Sequence, residues 1–327
     1  MAATTTSETY DALWTLTMRA KRKRLTDNIS DAYPTIAEFR KAGMIETENG
    51  GKQIAEDLMY ALASSEFFDT YDVLNTDSID GITQAHYDWS YMATPIVISM
   101  TEERENRASD KAIKLLEAKT TQAMQGALDQ ANQTALSAAT GKAFLGLQDI
   151  CAESTGATVG GINSTNETWW ESQRFDFDAT HTSFDTKVGD SYEGVLGMSA
   201  LWNDLTEGNE QPNLIITEYE VYEDYENIFE SGLYLRTTPG SRNNVDGRNP
   251  AYRGAKVIPD RDCPTGNLYM LNTKFLKFKV QAGMNFSKTP FKEPANQLAK
   301  VSFVVLGCQL VTNHRARQGL MYDIVTT

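Results

Sequence analysis

Residues 109–138 are the stretch that most constrains the architecture. Ile113, Leu116, Thr120, Met124, Ala127, Ala131 and Ala135 recur at three- and four-residue steps, the spacing of one helix face. Ser109 or Asp110 can cap the start, because a short side-chain oxygen accepts an otherwise unpaired backbone N–H. Gly141 is placed to end the segment. At the rise of an α-helix the segment would be roughly 45 Å long. Gly126 inside it should cost about 1 kcal/mol relative to Ala and marks a place to bend. A helix of this length, with so many small side chains, suits a spine along which a sheet or hairpin packs.

Upstream, residues 1–48 read as an arm, with a Thr/Ser-rich start, a basic run and a short helical patch at 36–44. Residues 52–64 read as a helix, with Ile54, Leu58 and Leu62 four apart. Residues 66–100 read as a long two-stranded feature turning at Asp80 and Gly81, a dipeptide suited to hairpins. Ala85, Tyr87, Trp89 and Tyr91 then alternate with His86, Asp88 and Ser90, which gives one apolar and one polar face. A two-stranded ribbon is marginal in water by itself, so that face must lie on its own body or on a neighbouring subunit.

Downstream, residues 145–190 read as irregular, and an α/β pattern begins at 191. Val195, Met198, Trp202 and Leu205 mark a helix, and 213–216 a short apolar strand. Thr217 and Glu220 have the spacing of a capping box. Val221, Tyr222, Tyr225, Ile228 and Phe229 line the helix that follows, and Gly232 would stop it. A polar loop is expected at 236–250, then strands at 255–259, 267–272 and 276–281. In the last of these Leu276, Phe278 and Val280 alternate with lysines. The longest strand is expected at 300–313.

The chain has 327 residues and a net charge of −14. Sequence-specific nucleic-acid binding usually draws on a basic domain, which is not found here. The exception is one run, Arg19, Lys21, Arg22, Lys23 and Arg24. It can neutralise phosphates or pair with the acidic surface of an adjacent subunit, and the second use is favoured by the acidity of the chain. Cys151, Cys263 and Cys308 have no metal-ligand spacing and read as free buried thiols. The first 20 residues hold no apolar signal core, and no run of 18 apolar residues is present, so neither a signal peptide nor a membrane span is expected.

The chemistry-bearing residues do not converge. Asp176, Asp178, His181 and Asp185 could contact a hard cation, but their spacing fits no loop motif, so a solvated loop is expected. Asp260 and Asp262 could form an acid–base pair, yet Pro259 and Pro264 bracket them as a turn. His86, His181 and His314 are scattered, and the chain contains no nucleophile elbow, phosphate-binding loop or His-Glu-x-x-His.

Four segments carry a resemblance. The first runs from Tyr87-Asp88-Trp89 through Pro95-Ile96-Val97-Ile98-Ser99 to Asn106 and Leu115-Leu116-Glu117-Ala118-Lys119. The second is Val159-Gly160-Gly161-Ile162-Asn163 with Trp169-Trp170. The third is Gln211-Pro212-Asn213-Leu214-Ile215-Ile216-Thr217 with Tyr222 and Tyr225, followed by residues 253–273. The fourth is Asn296-Gln297-Leu298-Ala299-Lys300-Val301, then Asn313-His314-Arg315-Ala316-Arg317-Gln318-Gly319. In this order they resemble the major capsid proteins of tailed bacteriophages, with the HK97-type fold.

The resemblance implies an α+β protein with an N-terminal arm (1–48), an extended-loop region (49–100) and a peripheral domain on the spine helix (101–190). It further implies an axial domain (191–295) and returning strands of the peripheral domain (296–327). The implied role is a structural one: hexamers and pentamers of this chain closing into an icosahedral head around double-stranded DNA. No enzyme activity, cofactor, metal or membrane is implied. Expected partners are other copies, a separate scaffolding protein and a portal, with a decoration protein left open and only non-specific proximity to DNA. Expected assembly contacts are Arg19, Lys21, Arg22, Lys23 and Arg24 in the arm, and Asp80, Gly81, Tyr87 and Trp89 in the loop region. The expected location is the virion, after assembly in the host bacterial cytoplasm. Residues 66–100 contain no lysine, and Lys52 lies just before them, so the loop-to-neighbour covalent cross-link of some family members is not expected. The alternatives are the shell of a cellular nanocompartment and an acidic hydrolase.

Overall fold

The computed structural model describes residues 33–63, 65–72, 80–105, 109–228, 251–295 and 297–326, with backbone alone at 103–105 and 109–115. The chain enters through helix α1 (Pro34–Lys41) and strands β1 (Ile45–Glu48), β2 (Gln53–Met59), β3 (Ile82–Asp88) and β4 (Ser90–Ser99). A short helix α2 (Met100–Glu105) leads to the spine α3 (Ser109–Leu136). Next come α4 (Leu147–Ile150), the hairpin β5 (Thr158–Val159) and β6 (Ile162–Asn163), and β7 (Gln173–Asp176). A second small hairpin, β8 (Lys187–Val188) and β9 (Ser191–Tyr192), precedes α5 (Glu193–Leu205). Then follow β10 (Leu214–Thr217), α6 (Tyr219–Ile228), β11 (Ala251–Tyr252), β12 (Ala255–Pro259) and β13 (Leu268–Leu271). The chain closes with β14 (Leu276–Gln281), β15 (Ser287–Lys288), β16 (Ala299–Thr312) and β17 (Gly319–Tyr322).

Two sheets organise these strands. The six-stranded sheet runs β11-β12-β10-β13-β17-β7, and the five-stranded one runs β1-β14-β16-β15 with β4 also on β16. Strands β10 and β13 are buried at every position, so both faces of the first sheet must be covered. On one face Leu214, Ile216, Tyr269, Leu271 and Leu320 join Phe39, Leu136 and Leu310. On the other Ile215, Val257, Met270 and Met321 pack against Met198, Leu201 and Trp202 of α5 and Val221 and Tyr225 of α6.

The spine starts at the expected Ser109, ends at Leu136, two residues before the expected bound, and runs continuously through Gly126, which is exposed with open space around it. Leu116, Ala123 and Met124 lie beneath Ile96, Ile98 and Val304, so the β4–β16 pair packs along it. Near its C-terminal end, Asn132 reaches the 259–266 turn. Asp260 is 1% exposed there, and its carboxylate accepts from Thr35 N at 3.2 Å, Thr35 Oγ1 at 2.7 Å and Asn132 Nδ2 at 3.1 Å. This one carboxylate fastens the start of α1 to the spine, since a buried charge persists only when hydrogen-bonded.

Several expectations change. Residues 53–59 form strand β2, not a helix. Ile54 and Leu58 are four apart but also share one face of a strand, with Glu56 between them. Glu56 is polar yet faces inward, because it pairs with Lys279, and this hides the period of two. The ribbon partner of β3 is therefore β2, with Ile54 opposite Tyr87 and Leu58 opposite Thr83. Asp80 and Gly81 do not make a two-residue turn. They close the base of the 60–81 connection, where Tyr60 N donates to Gly81 O at 2.9 Å and the Tyr60 hydroxyl to Asp80 O at 2.7 Å. Glycine is needed at 81 for close approach: a Cβ there would lie 2.5 Å from Ala61 O.

Thr217 ends β10 and does not cap α6. Its hydroxyl donates to Asn267 O at 3.4 Å, while Glu220 accepts from Thr326. Within the irregular 145–190 region, β7 pairs in parallel with β17 and extends the six-stranded sheet. The arm reading also changes from Tyr33 onward: α1 buries Ala37 and Phe39, and β1 pairs with β14. Glu46 and Glu48 of β1 meet Lys277 and Lys279 at 3.0 Å each. Phe229, Gly232 and the 236–250 loop lie outside the described residues. The other expected strands appear within one residue of the expected bounds.

Candidate assembly surface

The apolar face of the β2–β3 ribbon lies on its own subunit. Ile54, Leu58, Ala85, Tyr87 and Trp89 pack with Val159, Trp170 and Val311. The Tyr87 hydroxyl donates to Thr312 O at 2.8 Å, and burial pushes its pKa well up. Tyr87 and Trp89 are thus core side chains, 2% and 9% exposed, and this corrects the expectation that they contact a neighbour. The alternation is real, but its partner is internal.

Among the described residues, exposed apolar side chains gather elsewhere, chiefly in two places. One is the connection beyond the ribbon. Met59, Leu62, Phe67, Phe68, Tyr71 and Ile82 are all exposed, with Phe67 and Tyr71 at 107% and 95%. The other is the outward face of the β4–β16 pair. Cross-strand partners there are Val97 with Val301, Pro95 with Phe303, Ala93 with Val305, and Tyr91 with Gly307. No polar side chain interrupts that face. Tyr91, Val97 and Phe303 are exposed, while Ile96, Ile98 and Val304 point to the spine. The signal was present in the sequence: residues 91–98 and 301–307 are apolar in both phases of the alternation over much of their length, as in a strand covered on both faces. The Tyr91 ring sits over Gly307, where a Cβ would come within 3.2 Å of it. Tyr91 falls out of phase with Trp89 because β3 ends at Asp88 and a new strand begins at Ser90.

Apolar surface left exposed on a subunit is the kind that serves as an interaction site. An internal basic residue of the fourth sequence segment has a different role: Arg315 is 1% exposed and donates to the carbonyls of Ile150, Ala157, Trp170 and Asp149. It knits the irregular region to the end of the long strand.

The remaining candidates do not converge on a reaction centre. Arg19, Lys21, Arg22, Lys23 and Arg24 lie outside the described residues. Asp80 is exposed and Gly81 is buried against Ala61. Asp176 accepts from Ala179 N, Asp185 from the Ser183 hydroxyl, and His181 packs beside Phe175 and Phe177. No group of metal-ligating side chains occurs among the described residues. Asp260 is consumed by its four donor contacts to Thr35 and Asn132. Cys151, Cys263 and Cys308 are buried free thiols, and burial pushes Cys151 and Cys308 up to about 12, where the nucleophilic thiolate is scarce at neutral pH. No helix among the described residues is long and apolar enough to cross a membrane.

No protein-family model and no curated protein matches the sequence. Solved structures do match. The capsid asymmetric unit of cyanophage A-1(L) aligns with a TM-score of 0.66 at 17% identity, covering 86% of this chain and 90% of that one. The capsid of a native GTA particle aligns at 0.57 and 9% identity, covering 88% and 90%. The holo-SrpI encapsulin complex of Synechococcus elongatus PCC 7942 aligns at 0.54 and 12% identity, covering 88% of each chain. The spine helix with the β4–β16 pair along it, the β2–β3 ribbon, and the six-stranded sheet between two helices and a core together make the HK97-type fold of phage capsid shells.

Proposed function

We propose that this chain is the major capsid protein of a tailed bacteriophage, a structural protein whose copies form hexamers and pentamers of an icosahedral head. The observation that carries the reading is the pairing of the shell fold with two exposed apolar surfaces, the 59–71 connection and the β4–β16 face. Solvent-exposed phenylalanines such as Phe67 and Phe68 are costly in a solitary subunit and useful where every copy meets another. The 59–71 connection of one copy lies on the β4–β16 face of the next, apolar surface against apolar surface. The role is geometric, without catalysis or a cofactor. A scaffolding protein directs closure, and a portal occupies one vertex. The head contacts its DNA without reading sequence. Assembly takes place in the host bacterial cytoplasm, and the product is the virion.

The likeness to an encapsulin favours a second reading, a cellular compartment that encloses a protein cargo. Electron microscopy of the expressed chain, with and without its neighbouring scaffold gene, separates the readings. Shells or tubes whose regularity depends on the scaffold support the phage head. Uniform shells without a scaffold, loaded with a protein from the same operon, support the compartment. Small monodisperse particles in both preparations overturn both readings.

A further inference from the structure

A cleft of about 370 Å³ opens between the base of the 60–81 connection and the segment after β6. Tyr60, Asp80, Asn163, Asn166, Glu167 and Trp169 line it. The Tyr60 and Trp169 rings stack with centroids 5.0 Å apart and planes at 15°. Glu167 Oε2 accepts from Trp169 Nε1 at 2.7 Å, which fixes the carboxylate beside the rings. The cleft therefore holds a stacked aromatic pair with acceptors at its rim and no cation among its lining residues.

Some acidic side chains of the subunit already have a basic partner. Glu38 pairs with Lys256, Glu46 with Lys277, Glu48 and Glu56 with Lys279, Glu171 with Arg174, and Glu207 with Arg317. Asp80 and Glu167 have no ion pair among the described residues. A planar guanidinium meets both demands of the cleft. It stacks on aromatic faces, and its donor fork matches a carboxylate. The chain supplies one concentrated source of such groups, Arg19, Arg22 and Arg24 with Lys21 and Lys23 between them.

We infer that this cleft is the receptor for the basic run at residues 19–24 of a neighbouring copy, with an arginine packed against the stacked Tyr60–Trp169 pair and held by Asp80 and Glu167. The inference rests on the shell reading for its inter-copy character, while the cleft's affinity for the run does not depend on particles forming. A single exposed ion pair is weak, and the contact gains strength from five cations and from repetition around a closed shell.

Two measurements test it. The first titrates a synthetic peptide of residues 15–26 into the full-length chain and follows tryptophan fluorescence. Saturable binding is expected, weakened about tenfold by the Asp80→Asn, Glu167→Gln double variant and by a peptide with its five cations changed to glutamine. Both substitutions lie on exposed side chains, so the variant keeps the fold, which circular dichroism checks. Equal binding by wild type and variant overturns the assignment. The second mixes isotopically heavy and light chains, assembles them, and applies a carbodiimide. Heavy–light links from Lys21 or Lys23 to Asp80 or Glu167 support the inter-copy contact. Links only within one chain, or only to other carboxylates, overturn it. If the peptide binds as expected but no particle forms, the receptor stands and the shell reading falls.

Discussion

Thr35 and Asp260 lie 225 residues apart, yet the Thr35 backbone N–H and hydroxyl both donate to one Asp260 carboxylate oxygen, at 3.2 and 2.7 Å. Residue Tyr33 offers α1 no side-chain cap, so Asp260 supplies from across the fold the acceptor that a local serine or aspartate would usually provide. The negative charge also sits at the positive end of a helix. Removing it strands the two buried donors of Thr35 and leaves the Asn132 amide of the spine with Asp262 alone, at 2.8 Å. Asp260→Ala should therefore lower the unfolding free energy by about 3 kcal/mol. The loss should appear first as faster hydrogen exchange at residues 34–41. Unchanged exchange there would mean that α1 is held by its apolar face alone.

Trp89 tests whether the ribbon belongs to the body. It packs among Leu58, Tyr87 and Val311, so Trp89→Ala should destabilise the isolated subunit by about 3–5 kcal/mol. Trp89→Asp would bury a charge without a partner and should leave little folded subunit. Denaturant unfolding of the isolated chain checks both. A variant of full stability that fails only to assemble would restore the reading of Trp89 as a contact between copies.

The same residue shows what could be read from sequence. The alternation Ala85, Tyr87, Trp89 located a strand and its buried face, because period two is a property of the backbone. It could not say what covers the face, since Val159, Trp170 and Val311 come from distant segments. The spine was legible because its signal accumulates over seven spaced positions. Strand β2 was not, because Glu56 faces inward to a lysine more than 200 residues away. Asp260 was correctly placed in a turn, but its partners at Thr35 and Asn132 leave no local trace. The apolar outward face of β4 and β16 appears only once the register puts Pro95 beside Phe303 and Val97 beside Val301.

Phe67, Phe68 and Tyr71 are exposed in the isolated subunit, so replacing all three with serine removes little buried area. The stability of the isolated chain should change by no more than about 0.5 kcal/mol per site. The yield of closed particles should fall sharply, as size-exclusion chromatography and electron microscopy would show. A matching Phe303→Ser, Val97→Ser variant on the outward sheet face should produce the same defect. Normal particles from the loop variant would remove the connection from the contact, whereas loss of subunit stability would show that it packs internally.

Glu38 sets an acid limit on the docking of α1. Burial disfavours its charged form, but hydrogen bonds from Lys256 and Lys41 outweigh this and hold its pKa below the usual 4.5. The Nζ atoms lie 2.6 and 3.0 Å from Glu38 Oε1. A depressed carboxylate stabilises the fold above its unfolded pKa, and that stability is lost as pH falls through the folded value. The contribution should be constant from neutral pH down to about 5 and should decline below 4.5. Other carboxylates titrate in the same range, so the informative quantity is the difference between wild type and Glu38→Gln. That difference should favour wild type at pH 7 and shrink toward zero near pH 3, because a protonated glutamate and a glutamine offer Lys256 a similar neutral partner. A gap that stays constant with pH would assign the effect of Glu38 to packing, not to its charge.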